Sequence, residues 1–151
     1  MKIIKVKTDS KSYEIKVGND LLGSIPLKKL VSEKDILLVI DNRVPELLIN
    51  KLKSNLKKSS SKKINSIKIN ATENNKNMSY LAKVYDFLIR NNYSRDCVIF
   101  GIGGGITCDM TGFIASTFLR GVDFILVPST LLSQVDASIG GKTGVNHKGF
   151  K

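Results

Sequence analysis

The sequence holds a single histidine and two cysteines, has no apolar run long enough to cross a bilayer, and carries little arginine among its many basic residues. Each shortage removes a class of function. With His147 as the lone imidazole, no metal site of the usual ligand sets can be assembled from residues 1–151. Cys97 and Cys108 stand eleven positions apart without CxxC spacing, so neither a disulfide framework nor a zinc finger is indicated, and the chain reads as reduced and cytoplasmic. The opening residues, Met1-Lys2-Ile3-Ile4-Lys5-Val6-Lys7, alternate charge with apolar groups and lack the apolar core of a signal peptide. No stretch approaches the ~20 apolar residues of a membrane span, so no membrane partner is expected.

The net charge of +11 raises the question of nucleic acid, and its distribution argues against it. Residues 1–70 hold 16 Lys and Arg against 7 Asp and Glu, whereas residues 71–151 hold 8 against 6. The excess is mostly lysine, as in Lys57, Lys58, Lys62 and Lys63 around a serine run, without interleaved aromatics to stack on bases. It reads as a solvated face with no nucleic-acid partner. A stand-alone nucleotide- or RNA-binding module stays as an alternative, because non-specific binding needs only clustered positive charge.

With 151 residues, 42% of them hydrophobic, the chain suits one domain spanning 1–151. Ile4-Lys5-Val6-Lys7 and Tyr13-Glu14-Ile15-Lys16-Val17 alternate around Asp9-Ser10-Lys11, which predicts an antiparallel hairpin with one face in water. Ile36-Leu37-Leu38-Val39-Ile40 is continuous and rich in β-branched residues, as a strand buried on both faces should be. Leu47, Leu48, Leu52 and Leu56 then follow helical spacing, 57–63 reads as a linker, and 64–69 returns to strand character. Met78, Leu81, Tyr85, Leu88 and Ile89 predict a helix ending near Asn91-Asn92. Buried strands are expected at 97–100 and 124–128. Between them lie Gly101, Gly103, Gly104 and Gly105 and a helix turning Ile106, Met110, Phe113, Ile114 and Phe118 inward. Ser129-Thr130 then caps a short helix carrying Leu131, Leu132 and Val135. The fold class is α/β: a Rossmann-like, mostly parallel sheet with helices on both faces and an N-terminal β-hairpin.

The sharpest chemical signal is Gly101-Ile102-Gly103-Gly104-Gly105 between a strand and a helix, where missing β-carbons let backbone N–H groups approach a pyrophosphate at the positive helix end. It departs from GxGxxG, since Ile106 takes the third glycine position, and a tight turn with close helix packing accounts for the same glycines. Gly141-Lys142-Thr143 ends like a P-loop, but Asp136 occupies the position where the P-loop glycine belongs. Asp136 and Lys142 instead flank Ser138-Ile139-Gly140-Gly141, with Thr143, Asn146, His147 and Lys151 beyond: either a ligand loop or a solvated one. Asp109 is expected in the first turn of its helix, as a cap, and Arg120 at that helix's C-terminus, as a dipole partner.

Taken together, Gly103-Gly104-Gly105-Ile106-Thr107-Cys108-Asp109-Met110-Thr111-Gly112-Phe113, Arg120-Gly121, Val127-Pro128-Ser129-Thr130-Leu131-Leu132, Gln134-Val135-Asp136 and Gly140-Gly141-Lys142-Thr143 resemble the 3-dehydroquinate synthase family. The match is strong over residues 98–147; before that it is one of architecture. The resemblance implies an N-terminal NAD-binding α/β domain, with a C-terminal helical domain that carries a divalent metal, zinc or cobalt, lying outside this chain. It implies NAD contacts at Gly104, Gly105, Ile106, Asp109, Ser129, Thr130 and Lys151, and on looser surroundings at Asp41, Asn42, Glu73 and Lys76. It implies substrate contacts at Arg120, Asp136 and Lys142.

The implied reaction converts 3-deoxy-D-arabino-heptulosonate 7-phosphate to 3-dehydroquinate and phosphate, by transient NAD oxidation, β-elimination, reduction and aldol closure. This half alone would be inactive. The implied partners are the sugar-phosphate substrate and the C-terminal domain; the exposed surface that domain would cover is expected to favour an artefactual homodimer. A cyclase acting on sedoheptulose 7-phosphate is the alternative within the superfamily. Departures from the family pattern are Cys108 for glycine, Ser129 for threonine, Phe150 for the glycine before Lys151, and Thr72 for the glycine before Glu73.

Overall fold

Strand β3 (Ile36–Asp41) has every residue buried, and the rest of the fold is arranged around it. A computed structural model describes residues 1–8, 12–60 and 62–150 of the chain. Four parallel strands form the main sheet in the order β4-β3-β5-β6, with β4 at Ile64–Ile69, β5 at Val98–Gly103 and β6 at Asp123–Pro128. Side chains alternate across a strand, so β3 and β5 feed two cores. Leu37, Val39 and Ile99 pack with Leu81, Val84 and Leu88 of α4 (Met78–Arg90) and Met110 and Ile114 of α5 (Gly105–Thr117). Ile36, Leu38, Ile40, Phe100 and Ile102 pack on the other face, against Ile49, Leu52 and Leu56 of α3 (Glu46–Ser59). Leu27 and Val31 join that second core from the region of two short helices, α1 (Leu21–Ser24) and α2 (Lys28–Val31), of which the periodicity gives no sign.

The expected hairpin forms between β1 (Lys2–Lys7) and β2 (Ser12–Val17), with Val6 opposite Tyr13. Its turn at Asp9–Lys11 lies outside the described residues. Connections through α3 and α4 place β4 and β5 on opposite sides of β3, which creates a reversal of strand order between the carboxyl ends of β3 and β5. Ligands of open α/β sheets bind in that crevice.

Several boundaries differ from expectation. The inner stripe of α3 is Ile49, Leu52 and Leu56, leaving Leu47 68% exposed, because the helix starts after Pro45; it also runs through Ser59 and absorbs the first part of the lysine and serine linker. Met78 and Ile89 lie on the outer face of α4, whose end at Arg90, capped by Asn91, is as expected. Strand β6 is half-buried rather than buried, since β5 pairs with one edge of it and Phe124 faces outward.

The largest correction concerns the glycines. Gly101 and Gly103 belong to β5, not to the turn, and they make room for α5: a β-carbon on Gly101 would stand 2.5 Å from Thr111 Oγ1, and one on Gly103 2.4 Å from Thr107 Oγ1. Thr111 fills the hollow over Gly101 so closely that its buried hydroxyl has no hydrogen-bond partner. Gly101→Ala is therefore expected to destabilise the fold by about 1–3 kcal/mol through overpacking, read from chemical denaturation; an unchanged midpoint would mean that α5 can withdraw from the strand at no cost.

Candidate nucleotide and anion site

At the carboxyl edge of the sheet, Gly104 is the N-cap of α5, and no side chain caps the helix from that position. The first turn contains no acid, so its N–H groups and the positive end of the helix dipole are offered to whatever lies in the crevice. Gly104 also lies close to Thr130, whose methyl would be 3.4 Å from an added β-carbon, and Gly105 lies equally close to Ala137. Thr130 and Ser133 bond reciprocally, each hydroxyl accepting from the other's backbone N–H at 3.2 Å, which fixes the start of the short helical segment as expected. The segment ends in a π-helical turn, Ser133–Ala137, on which Asp136 is exposed. The Ser129 N–H donates to Gly103 O at 2.8 Å, tying the ends of β5 and β6 together.

Asp41 ends β3 beside the crevice, 3% exposed. Arg43 forks onto its carboxylate, Nε to Oδ1 at 3.0 Å and Nη2 to Oδ2 at 2.7 Å, while Nη2 also donates to Ala71 O at 2.8 Å. Burial raises the Asp41 pKa, but the Arg43 hydrogen bonds and charge, with Thr107 behind them, outweigh it and hold the carboxyl below its ordinary value. Asn42 is exposed and its N–H donates to Ile69 O. Arg43 was not among the residues expected here, although a cation two positions after an acid that closes a buried strand is a readable signal.

Asp109 is corrected. Because α5 begins at Gly105, Asp109 falls in the second turn, and its carboxylate pairs with the Nζ of buried Lys76 instead of with free N–H groups. Lys76 follows the 3-10 turn Glu73–Asn75. Asn146 joins this group from the far loop, Nδ2 donating to Glu73 Oε1 and its N–H to Lys76 O, both at 2.7 Å. Lys142 is exposed on the same loop, next to Thr143, which packs on Gly112 of α5.

The structure thus gathers Asp41, Asn42, Glu73, Lys76, Gly104, Gly105, Ile106, Asp109, Ser129 and Thr130 around one edge, with Asp136 and Lys142 on segments alongside α5. Arg120 is not gathered with them. It closes the 3-10 turn Phe118–Arg120 ahead of β6, and a six-residue strand at ~3.3 Å per residue puts it about 20 Å from the carboxyl edge. There it lies beside Arg95, near an open recess of about 510 Å³ lined by Lys34, Arg95, Asp96, Gly121, Val122 and Asp123. Lys151 lies outside the described residues. Among the described residues, no three His, Cys, Asp or Glu side chains come together as a metal site.

Residues 66–151 match the sequence profile of the 3-dehydroquinate synthase N-terminal domain. The chain belongs to this family. It is 43% identical over 150 residues to the 3-dehydroquinate synthase of Pelagibacter ubique, covering 96% of this chain and 39% of that protein. It is 40% identical over 148 residues to that of Hydrogenovibrio crunogenus, covering 97% and 40%. The chain therefore spans about two fifths of the length of the curated relatives it matches. Among solved structures, a 2-epi-5-epi-valiolone synthase of Streptomyces hygroscopicus with NAD+ and Zn2+ bound is 30% identical, with a TM-score of 0.81 over 95% of this chain and 39% of that one. A 2-deoxy-scyllo-inosose synthase shares the fold at 20% identity, with a TM-score of 0.87 over 97% and 42%. Family membership and the sugar-phosphate cyclase fold agree with the architecture expected from the sequence.

The depressed value of Asp41 has a pH consequence. Its stabilising pair is fully present above the ordinary carboxylate value of 3.8 and is lost as pH falls through the lower folded value. The wild-type chain is expected to lose more thermal stability than Asp41→Asn as the buffer is taken from neutral to strongly acidic; equal losses would show that the pair contributes nothing.

Proposed function

We propose that this chain is the NAD-binding domain of a 3-dehydroquinate synthase, and that its pyrophosphate site is the N-terminus of α5. One observation carries the reading: a helix whose cap and first turn offer backbone N–H groups, with no acid among them, opens into the crevice where the strand order reverses. Gly104, Gly105 and Ile106 would hold the pyrophosphate, with Ser129 and Thr130 on one flank and Glu73, Lys76 and Asp109 on the other. Asp41 and Asn42 would meet the adenosine end. NAD supplies a hydride acceptor that later returns the hydride.

In this reading Asp136 and Lys142 meet the sugar phosphate, where an ammonium suits its phosphate or carboxylate. Arg120, the third residue assigned to the substrate, stands at the opposite edge and is left outside this constellation. The relatives' greater length supports a further domain, and the divalent metal belongs there, since the donors described here do not form a set for it. The assembled protein would convert 3-deoxy-D-arabino-heptulosonate 7-phosphate to 3-dehydroquinate in the cytoplasm, and this chain alone would bind NAD without turnover. The likeness to a valiolone synthase with NAD+ bound favours a second reading, a cyclase for sedoheptulose 7-phosphate, which assays of a protein of the relatives' full length with both substrates would separate.

Calorimetric titration of NAD tests the cofactor site. Gly104→Val suits the purpose: the backbone there is extended, and an added β-carbon meets nothing nearer than 3.4 Å, so the fold should survive while the N–H groups are screened. Wild type is expected to bind, with Gly104→Val weaker by about tenfold or more, as when a ligand loses charge-assisted hydrogen bonds. Asp109→Ala should weaken binding less. Equal affinity of wild type and Gly104→Val would place NAD elsewhere, and a folded wild type that binds none would end the reading of this chain as a self-sufficient cofactor domain.

A further inference from the structure

The loop that carries Lys142 is rich in glycine yet held at several points, and one of the holding groups, Tyr13, comes from outside the site described above. The N–H of Gly140, whose φ of 89° is natural to glycine, donates to the Tyr13 hydroxyl of β2 at 2.9 Å. Thr143 presses its methyl into the notch over Gly112, 2.2 Å from where a β-carbon would stand. Val145 is buried in the core between α4, α5 and the sheet. Asn146 pairs in parallel with Asn77 and reaches both Glu73 and the Lys76 carbonyl. Gly141 and Lys142 lie between these anchors.

Gly140, Gly141 and Gly144 give the segment more freedom to lose than any other residue type would, so its conformation depends on the groups that fasten it. Tyr13 fastens it from the hairpin, and Asn146, on the loop itself, ties it to the strip that holds Glu73 and Lys76. We propose that Tyr13 and Asn146 are positioning residues that fix where the Lys142 ammonium is presented, before any anion binds. This rests on the reading of Lys142 as an anion contact. It assigns the exposed hairpin a part in the site, through one phenolic oxygen.

The chain is of a size suited to amide-resolved NMR, and the test uses wild type, Tyr13→Phe, Asn146→Ala, Asn146→Asp, and Asn146→Asp combined with Glu73→Gln. Tyr13→Phe removes only the acceptor of the Gly140 bond. It should speed amide exchange at Gly140 by about tenfold, the worth of one such hydrogen bond, and lower the order parameters at 140–142. The melting temperature should move by no more than about 3 °C. Asn146→Ala should loosen 143–146, Asn146→Asp should do so further by facing Glu73 with a second carboxylate, and adding Glu73→Gln should restore order by reversing donor and acceptor.

Inorganic phosphate, titrated as the anion probe, should shift the Lys142 amide in wild type with several-fold lower affinity in Tyr13→Phe. A merely structural tyrosine would change melting without that selective loss. Unchanged exchange at Gly140 in Tyr13→Phe, or no rescue by the paired substitution, overturns the positioning role. Absence of a phosphate response at Lys142 in wild type, with the exchange effects intact, would instead sink the anion reading on which the proposal rests.

Discussion

Helix α5 lies against strand β5 closer than any side chain on the strand would allow, and the site depends on that approach. Thr107 and Thr111 occupy the space over Gly103 and Gly101, so the helix axis is drawn onto the sheet, and its first turn opens at the carboxyl end of β5 rather than beyond it. From there Gly104 and Gly105 meet Thr130 and Ala137, Gly112 receives Thr143, and Asp109 reaches Lys76. A side chain at Gly101 or Gly103 would lift the helix and move each of these contacts together, because packed interiors transmit displacement.

Two of the carboxylates around the crevice are paired before a ligand arrives. Asp41, buried at the end of β3, is held by Arg43 two positions on, and Asp109 by Lys76 from a segment 33 positions away. Fixed carboxylates of this kind need no reorganisation when a polar ligand docks, which favours affinity through lower ordering cost. Breaking these pairs singly is costly from one side, since removal of Arg43 leaves the buried Asp41 carboxylate unpaired and removal of Asp109 leaves the buried Lys76 ammonium unpaired.

The sequence made the architecture legible because β3 is apolar without interruption and the helices carry apolar residues at regular spacing. The motif residues around Gly104 and Lys142 were legible as well. What stayed hidden was three-dimensional. Leu47 and Ile49 are equally apolar, and only the start of α3 after Pro45 decides which one turns inward. Glycines in a strand and in a turn look alike until the partner threonines are in place. The partnerships Arg43 with Asp41, Asn146 with Glu73, and Tyr13 with Gly140 link positions whose neighbourhood no periodicity records. Arg120, adjacent to the motif in sequence, lies a full strand length away from the glycines that precede it.

The hydrogen bond from Gly140 to Tyr13 joins residues 127 positions apart. The hairpin precedes the loop in the sequence, so during synthesis the bond can close only after every residue between the two has been made. Contacts of such separation form late, after the sheet between them has already brought their ends together. The loop that carries Lys142 is thus fastened by a residue made 127 positions earlier, and assembly of this edge of the crevice reports that the sheet in between has folded.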